Sequence, residues 1–182
     1  MIALAELSIG ELAAFVAEHL RNKGIDVVLV GGACISIYSD NKYSSFDLDF
    51  IATGMSKRQR IRSALAEINF IEEHRYFKNP ETNYFLEFPA GPVAIGDEPP
   101  SEISTLHYST GTLRLLSPTD CVKDRLAAYY HWKDQQSLEQ AILVTRDRPV
   151  DLEEIHRWSV HEGFGEVFDM LAAKRPPSIW AM

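Results

Sequence analysis

A mixed α/β domain followed by a helical region is the fold class this sequence predicts, and three observations predict it. A β-branched run, IDVVLV, ends in the double glycine Gly31-Gly32. Acidic and apolar residues then alternate through SSFDLDFIA, and past Leu116 the strand-like segments give way to helix starts and helical spacing. The resulting order of helix, strand, helix, strand, helix, strands and then helices makes a small mixed sheet with flanking helices. A boundary near residue 116 separates a domain at 1–116 from a C-terminal helical region at 117–182.

The elements follow in order. From Ser8 to about Lys23 the residues Leu12, Phe15, Val16 and Leu20 recur at helical spacing, and Gly24 stops the helix. IDVVLV is a short buried strand, and ACISIYS opens a short helix at the glycines. In SSFDLDFIA a period of two sends Leu48 and Phe50 to one side and Asp47 and Asp49 to the other. Ser56 begins a helix with Ile61, Leu65 and Ile68 on one stripe. FIEEHRYFK, NYFLEF and the pair ISTLHYS and TLRLLS around Gly111 read as β-structure. PAGPVAIGDEPPSE holds four of the nine prolines and is loop. SPTD starts a helix, with Ser117 as cap, Pro118 in the first turn and Asp120 at the positive end of the dipole. Helices are expected at about 118–132, 135–146, 150–161 and near 164–174, the last ended by Pro176-Pro177.

Composition narrows the function. A chain of 182 residues with 46 % hydrophobic and 24 % charged residues is ordinary globular protein. Its net charge of −8 argues against binding nucleic acid through general electrostatics. It leaves room for a small anionic substrate whose charge is carried by metal. No apolar run is long enough to span a membrane, and the N-terminal stretch reads as an amphipathic helix rather than a signal peptide. Cys34 and Cys121 are too few for a disulfide framework or a zinc cage, so a reducing cytoplasm is the expected compartment.

Chemistry concentrates between residues 27 and 50. Glycines at the end of a strand let backbone approach a ligand, and the helix behind them offers N–H groups to phosphate oxygens. Two aspartates at i and i+2 on a strand point the same way and can share metal ions. Such carboxylates suit Mg²⁺, which completes its shell with water and phosphate, and a pair of ions can clamp a phosphoryl transfer. A solvated sheet edge is the bland reading of Asp47 and Asp49, but aspartate is depleted in strands and two in one short strand need a reason.

The stretch VLVGGACISIYSDNKYSSFDLDF resembles the signature of nucleotidyltransferases related to DNA polymerase beta. It is most similar to the bacterial abortive-infection and toxin branch, whose places are filled here by Gly31, Gly32, Lys42, Ser45, Asp47 and Asp49. LSPTDCVKDRLAAYYHWKD resembles the helical signature of that branch through Pro118, Asp120, Arg125, Leu126, Lys133 and Asp134. The resemblance implies a nucleotidyltransferase-like fold and Mg²⁺ on Asp47 and Asp49, with two ions accommodated. It implies nucleoside triphosphate held by Gly31, Gly32, Lys42, Ser45 and Arg125. A third carboxylate from a later strand is expected, and Glu87 fits because a charge inside the apolar strand NYFLEF is costly without a partner. Asp97, in the proline-rich loop, is the reserve.

The implied reaction transfers a nucleoside monophosphate to an acceptor hydroxyl on RNA, protein or a small molecule. By analogy with toxins of this branch, a cognate antitoxin is an expected partner. Relatives often carry Ser or Thr on or just after the glycine turn. Ala33 and Cys34 stand there instead, and Ser36 is the first hydroxyl. That departure favours the alternative of a catalytically inactive nucleotide- or partner-binding module of the same fold. Lys42 and Arg125 read equally well as solvated charges, Cys34 as a small buried residue, and Trp132, Trp158 and Trp180 as helix-packing residues or, alternatively, as an interface.

Overall fold

The computed structural model describes residues 3–54 and 57–173. Ser56, Pro176, Pro177 and Trp180, named above, lie outside the described residues. The first helix, α1 (Ile9–Asn22), starts at a capping box. The Ser8 hydroxyl accepts from the Glu11 amide at 3.3 Å, and the Ser8 amide donates to the Glu11 carboxylate at 2.9 Å. After it come β1 (Asp26–Val30), α2 (Gly32–Tyr38), β2 (Asp47–Thr53) and α3 (Arg58–Ala66). Strands β3 (Ile71–Glu73), β4 (Tyr76–Lys78), β5 (Phe85–Glu87), β6 (Ile103–Tyr108) and β7 (Gly111–Leu116) complete a seven-stranded sheet ordered β3-β4-β5-β2-β1-β7-β6. Four helices close the described chain: α4 (Pro118–Trp132), α5 (Gln135–Asp147), α6 (Leu152–His161) and α7 (Gly165–Ala173).

The sheet is mixed. β1 runs antiparallel to β2 and parallel to β7, while β2 and β5 are parallel. One face forms the core, where Leu29, Leu48, Phe50, Leu86, Leu113 and Leu115 pack with Leu12, Val16 and Leu20 of α1. Because side chains alternate along each strand, that packing turns Asp47, Asp49 and Glu87 to the opposite face.

Two details depart from the expected elements. FIEEHRYFK is a hairpin rather than one strand: Glu73 pairs with Tyr76 across His74 and Arg75, and His74 takes φ 58°. Such a turn normally signals itself with Asn or Gly, so His74 hid it. Trp158 is fully buried and donates to the Ile95 carbonyl at 3.3 Å, but Trp132 is 77 % exposed and packs no helix pair.

The start of α4 ties sheet, loop and helices together. Ser117 caps it by accepting from the Asp120 amide at 3.1 Å. The Asp120 carboxylate accepts from Ser101 at 2.8 Å and from the Glu102 amide at 2.9 Å. Lys123, itself buried, pairs with Asp120 at 2.8 Å and with Glu154 of α6 at 3.0 Å. Buried charges survive only with such complete pairing.

Candidate active site

The site is assembled by register. β1 pairs with β2 so that Val30 lies opposite Asp49, and β5 pairs with β2 so that Glu87 lies opposite Asp49 and Phe85 opposite Asp47. The carboxylates of Asp47, Asp49 and Glu87 therefore share one sheet face, with Asp49 central.

Gly31 turns the chain beside them. Its φ of 69° favours glycine, and a Cβ there would stand 2.7 Å from the Asp49 Oδ2 atom. Conformation and space thus both demand glycine at this point. Gly32 is packed against Ser45, whose hydroxyl lies 3.2 Å from where a Cβ would be. The Ser45 hydroxyl donates to the Asp47 carboxylate and lies 3.2 Å from its carbonyl oxygen. Ser36, the first hydroxyl after the glycines, is engaged in the scaffold: it accepts from the Ser45 amide at 2.8 Å and donates to the Gly32 carbonyl at 3.5 Å. It holds the approach to β2 in place.

The electrostatics centre on Asp49. Burial, with Asp47 and Glu87 as like-charged neighbours, pushes its pKa up to about 7, while Arg125 pulls the other way. Arg125, on α4, is held by Asp124 at 3.0 and 2.5 Å and donates to Gln140 of α5 at 3.4 Å. It reaches the carboxylates through its field. Lys42 forms an ion pair with Asp147 of α5 at 2.9 Å and is 53 % exposed. Asp97 faces His161 at 3.2 Å, a loop-to-helix tie.

Two residues near the carboxylates escaped sequence reasoning. Arg75, at the tip of the β3–β4 hairpin, pairs with Glu87 at 3.5 Å and stacks over the Tyr76 ring. Asp124 stands close enough to raise the Asp49 pKa. Neither carries a local signal, since both arrive by strand pairing or helix packing.

Among the described residues no group of three or more His, Cys, Asp or Glu side chains stands ready to hold a metal. Asp47 and Asp49 still fit Mg²⁺, which takes one or two protein carboxylates and leaves its other positions to water and phosphate. The crowding of negative charge around Asp49 is what a divalent cation would relieve.

The mixed sheet with its flanking and C-terminal helices is the nucleotidyltransferase-like fold. Solved structures share it. An antigenic nucleotidyltransferase-like protein from Paracoccidioides brasiliensis superposes with a TM-score of 0.55 at 17 % identity, covering 79 % of this chain and 78 % of that one. The antibiotic-resistance factor ANT(2″)-Ia in solution gives 0.52 at 12 % identity, covering 91 % and 93 %. Its complex with adenylyl-2″-tobramycin gives 0.52 at 13 %, covering 89 % and 97 %. No protein-family model and no curated protein matches the sequence. Among the described residues no helix is long and apolar enough to cross a membrane.

Proposed function

We propose that this protein is a nucleotidyltransferase that moves a nucleoside monophosphate from a nucleoside triphosphate to an acceptor hydroxyl. The acceptor oxygen attacks the α-phosphorus, the bond to the β-phosphate oxygen breaks, and pyrophosphate leaves. Glu87 takes the hydroxyl proton. Asp47 and Asp49 would hold Mg²⁺, which when bound neutralises the phosphate charge and orients the reacting groups. Gly31 and Gly32 seat the phosphates with backbone, Ser45 orients Asp47, and Arg125 balances negative charge from the helical region. One observation carries the reading: three carboxylates on one face, beside a glycine turn that leaves room for the central one.

The sequence resemblance extends the reading to an RNA-end or protein-hydroxyl acceptor and a toxin role with a cognate antitoxin, and the two cysteines suit a cytoplasmic setting. ANT(2″)-Ia, with its adenylyl-tobramycin complex, favours a small-molecule acceptor instead. On this reading residues 1–116 form the catalytic domain, which the region 117–182 completes. A non-catalytic nucleotide-binding module is the second reading. It is favoured by the engagement of Ser36 with Gly32 and Ser45, and of Lys42 with Asp147.

Calorimetry with each of the four triphosphates, with and without Mg²⁺, tests the proposal on wild type and Asp47→Ala/Asp49→Ala. Metal-dependent binding lost in the double variant is expected. Glu87→Gln should still bind nucleotide but release no pyrophosphate. Absence of binding to any triphosphate by folded wild type would overturn the proposal, and binding without pyrophosphate release across acceptor classes would favour the module.

A further inference from the structure

We propose that a cavity of about 770 Å³ on the far side of Glu87 from the glycine turn is the acceptor site. Its acceptor is a small, largely apolar hydroxyl compound bearing one anionic group that pairs with Arg114. The inference rests on the nucleotidyl-transfer reading and adds the substrate class.

Position comes first. Along β1 the glycine turn follows Val30, Asp49 lies opposite Val30, and Val28 lines the cavity. The carboxylates therefore stand between the phosphate seat at one end and the cavity at the other. One wall is residues 88–93, the chain that leaves β5 directly after Glu87. Glu87 does not itself line the cavity; the wall begins one residue further along the chain, at Phe88. A volume of this size suits a small organic molecule.

Chemistry comes second. The wall at 89–93 reads Pro-Ala-Gly-Pro-Val, which offers apolar contact and few polar groups. In a chain of net charge −8, no acidic side chain lines the cavity among the described residues, yet Arg58 and Arg114 both do. Arg58 is spoken for: it pairs with Glu72 at 2.7 Å and donates to the carbonyls of Arg75 and Phe88. Arg114 is half-buried on β7, between Thr105 of β6 and, by the β1–β7 register, Val28. It has no hydrogen-bond or ion-pair partner among the described residues. A partly desolvated guanidinium facing an apolar cavity calls for a carboxylate, sulfonate or phosphate, which can meet it with two parallel hydrogen bonds. The same lining repels an acceptor rich in ammonium groups.

Two probes with one ring system and opposite charge test this: 2-naphthoate and 2-naphthylmethylammonium, titrated into ¹⁵N-labelled protein and followed by amide shifts. Naphthoate should move the amides of Gly54, Gly91, Val93 and Arg114 and bind about fivefold more tightly than the ammonium. Arg114→Gln should abolish that preference, and Arg114→Lys should restore part of it. Arg114 has no hydrogen-bond or ion-pair partner among the described residues, and matching amide spectra elsewhere verify that both variants fold. Equal binding, preference for the cation, or shifts confined to other surfaces would overturn the proposal.

A second titration adds a non-hydrolysable triphosphate with Mg²⁺. Simultaneous binding of nucleotide and naphthoate supports an acceptor site, whereas displacement makes the cavity part of the nucleotide seat and overturns it. Failure of the triphosphate to bind at all removes the transfer reaction, and the acceptor role with it, whatever naphthoate does. Nucleotide binding without naphthoate binding removes only the acceptor inference.

Discussion

Replacing Asp49 by Asn should make the metal-free protein more stable while abolishing the proposed nucleotidyl transfer. Burial and the charges of Asp47 and Glu87 raise the Asp49 pKa from 3.8 to about 7. Folded protein thus holds a proton that the unfolded chain releases across that window, so wild-type stability falls as pH rises from 3.8 to about 7 and is level above it. At about 1.4 kcal/mol per unit, the ionised carboxylate costs about 4 kcal/mol at pH 8. An asparagine amide keeps part of the desolvation cost, so a net gain of about 2–4 kcal/mol is expected. For a chain of this length that is roughly 5–10 °C in Tm. The assay is thermal unfolding of wild type and Asp49→Asn at several pH values, with and without Mg²⁺. The gain should be full above pH 7 and shrink as pH falls towards 4. Added Mg²⁺ should stabilise wild type, by about 1.4 kcal/mol at ten times its Kd, and leave Asp49→Asn unmoved. A variant no more stable than wild type at pH 8, or a gain that ignores pH, would refute the account of charge crowding.

Gly31→Ala combines a φ of 69° with a Cβ placed 2.7 Å from the Asp49 carboxylate. It should cost about 1–3 kcal/mol in urea unfolding and, because Asp49 must move, weaken Mg²⁺-dependent nucleotide binding at least as severely. Lys123→Met should cost about 3–5 kcal/mol in the same assay, since it leaves the fully buried Asp120 without its cation. Nucleotide affinity per folded molecule should change little.

Much of the candidate site's geometry was legible because its residues break local rules. Asp47 and Asp49 interrupt an apolar strand, Glu87 is a lone charge among aromatics, and Gly31-Gly32 follow a β-branched run. The alternation that buries Leu48 and Phe50 is the same pattern that turns the aspartates outward. What the sequence hid was adjacency. Nothing in NYFLEF says that β5 lies beside β2 rather than at an edge, and pairing to β2 is what brings Glu87 to Asp49. Arg75 and Asp124 were invisible for that reason. Arg75 reaches Glu87 through the pairing of β4 with β5, and Asp124 reaches Asp49 through the packing of α4, both of them long-range facts. Arg125 entered through resemblance alone, as its local sequence reads as a solvated helix charge. Asp120 was read as a helix-start residue, and its larger part, as the hub joining Ser101, Glu102 and Lys123, depends on partners distant in the chain.

The pairing of β2 with β5 also sets where this chain can change length. Only three residue pairs join the two strands, Asp47 with Phe85, Leu48 with Leu86 and Asp49 with Glu87. Sliding β5 by one residue would carry Leu86 to the carboxylate face and drive Glu87 into the core, so the error is all or nothing. Insertions in the 89–100 loop, downstream of the strand, leave this parity untouched. Within residues 79–84 the slack must be absorbed before Phe85. The loop backbone there is braced, the Asn79 side chain holding the Ile68 carbonyl and the Glu81 amide, so the strand's starting point is fixed from outside the strand. Indel tolerance in this protein is therefore expected to follow an odd–even rule upstream of Phe85 and no such rule beyond Phe88.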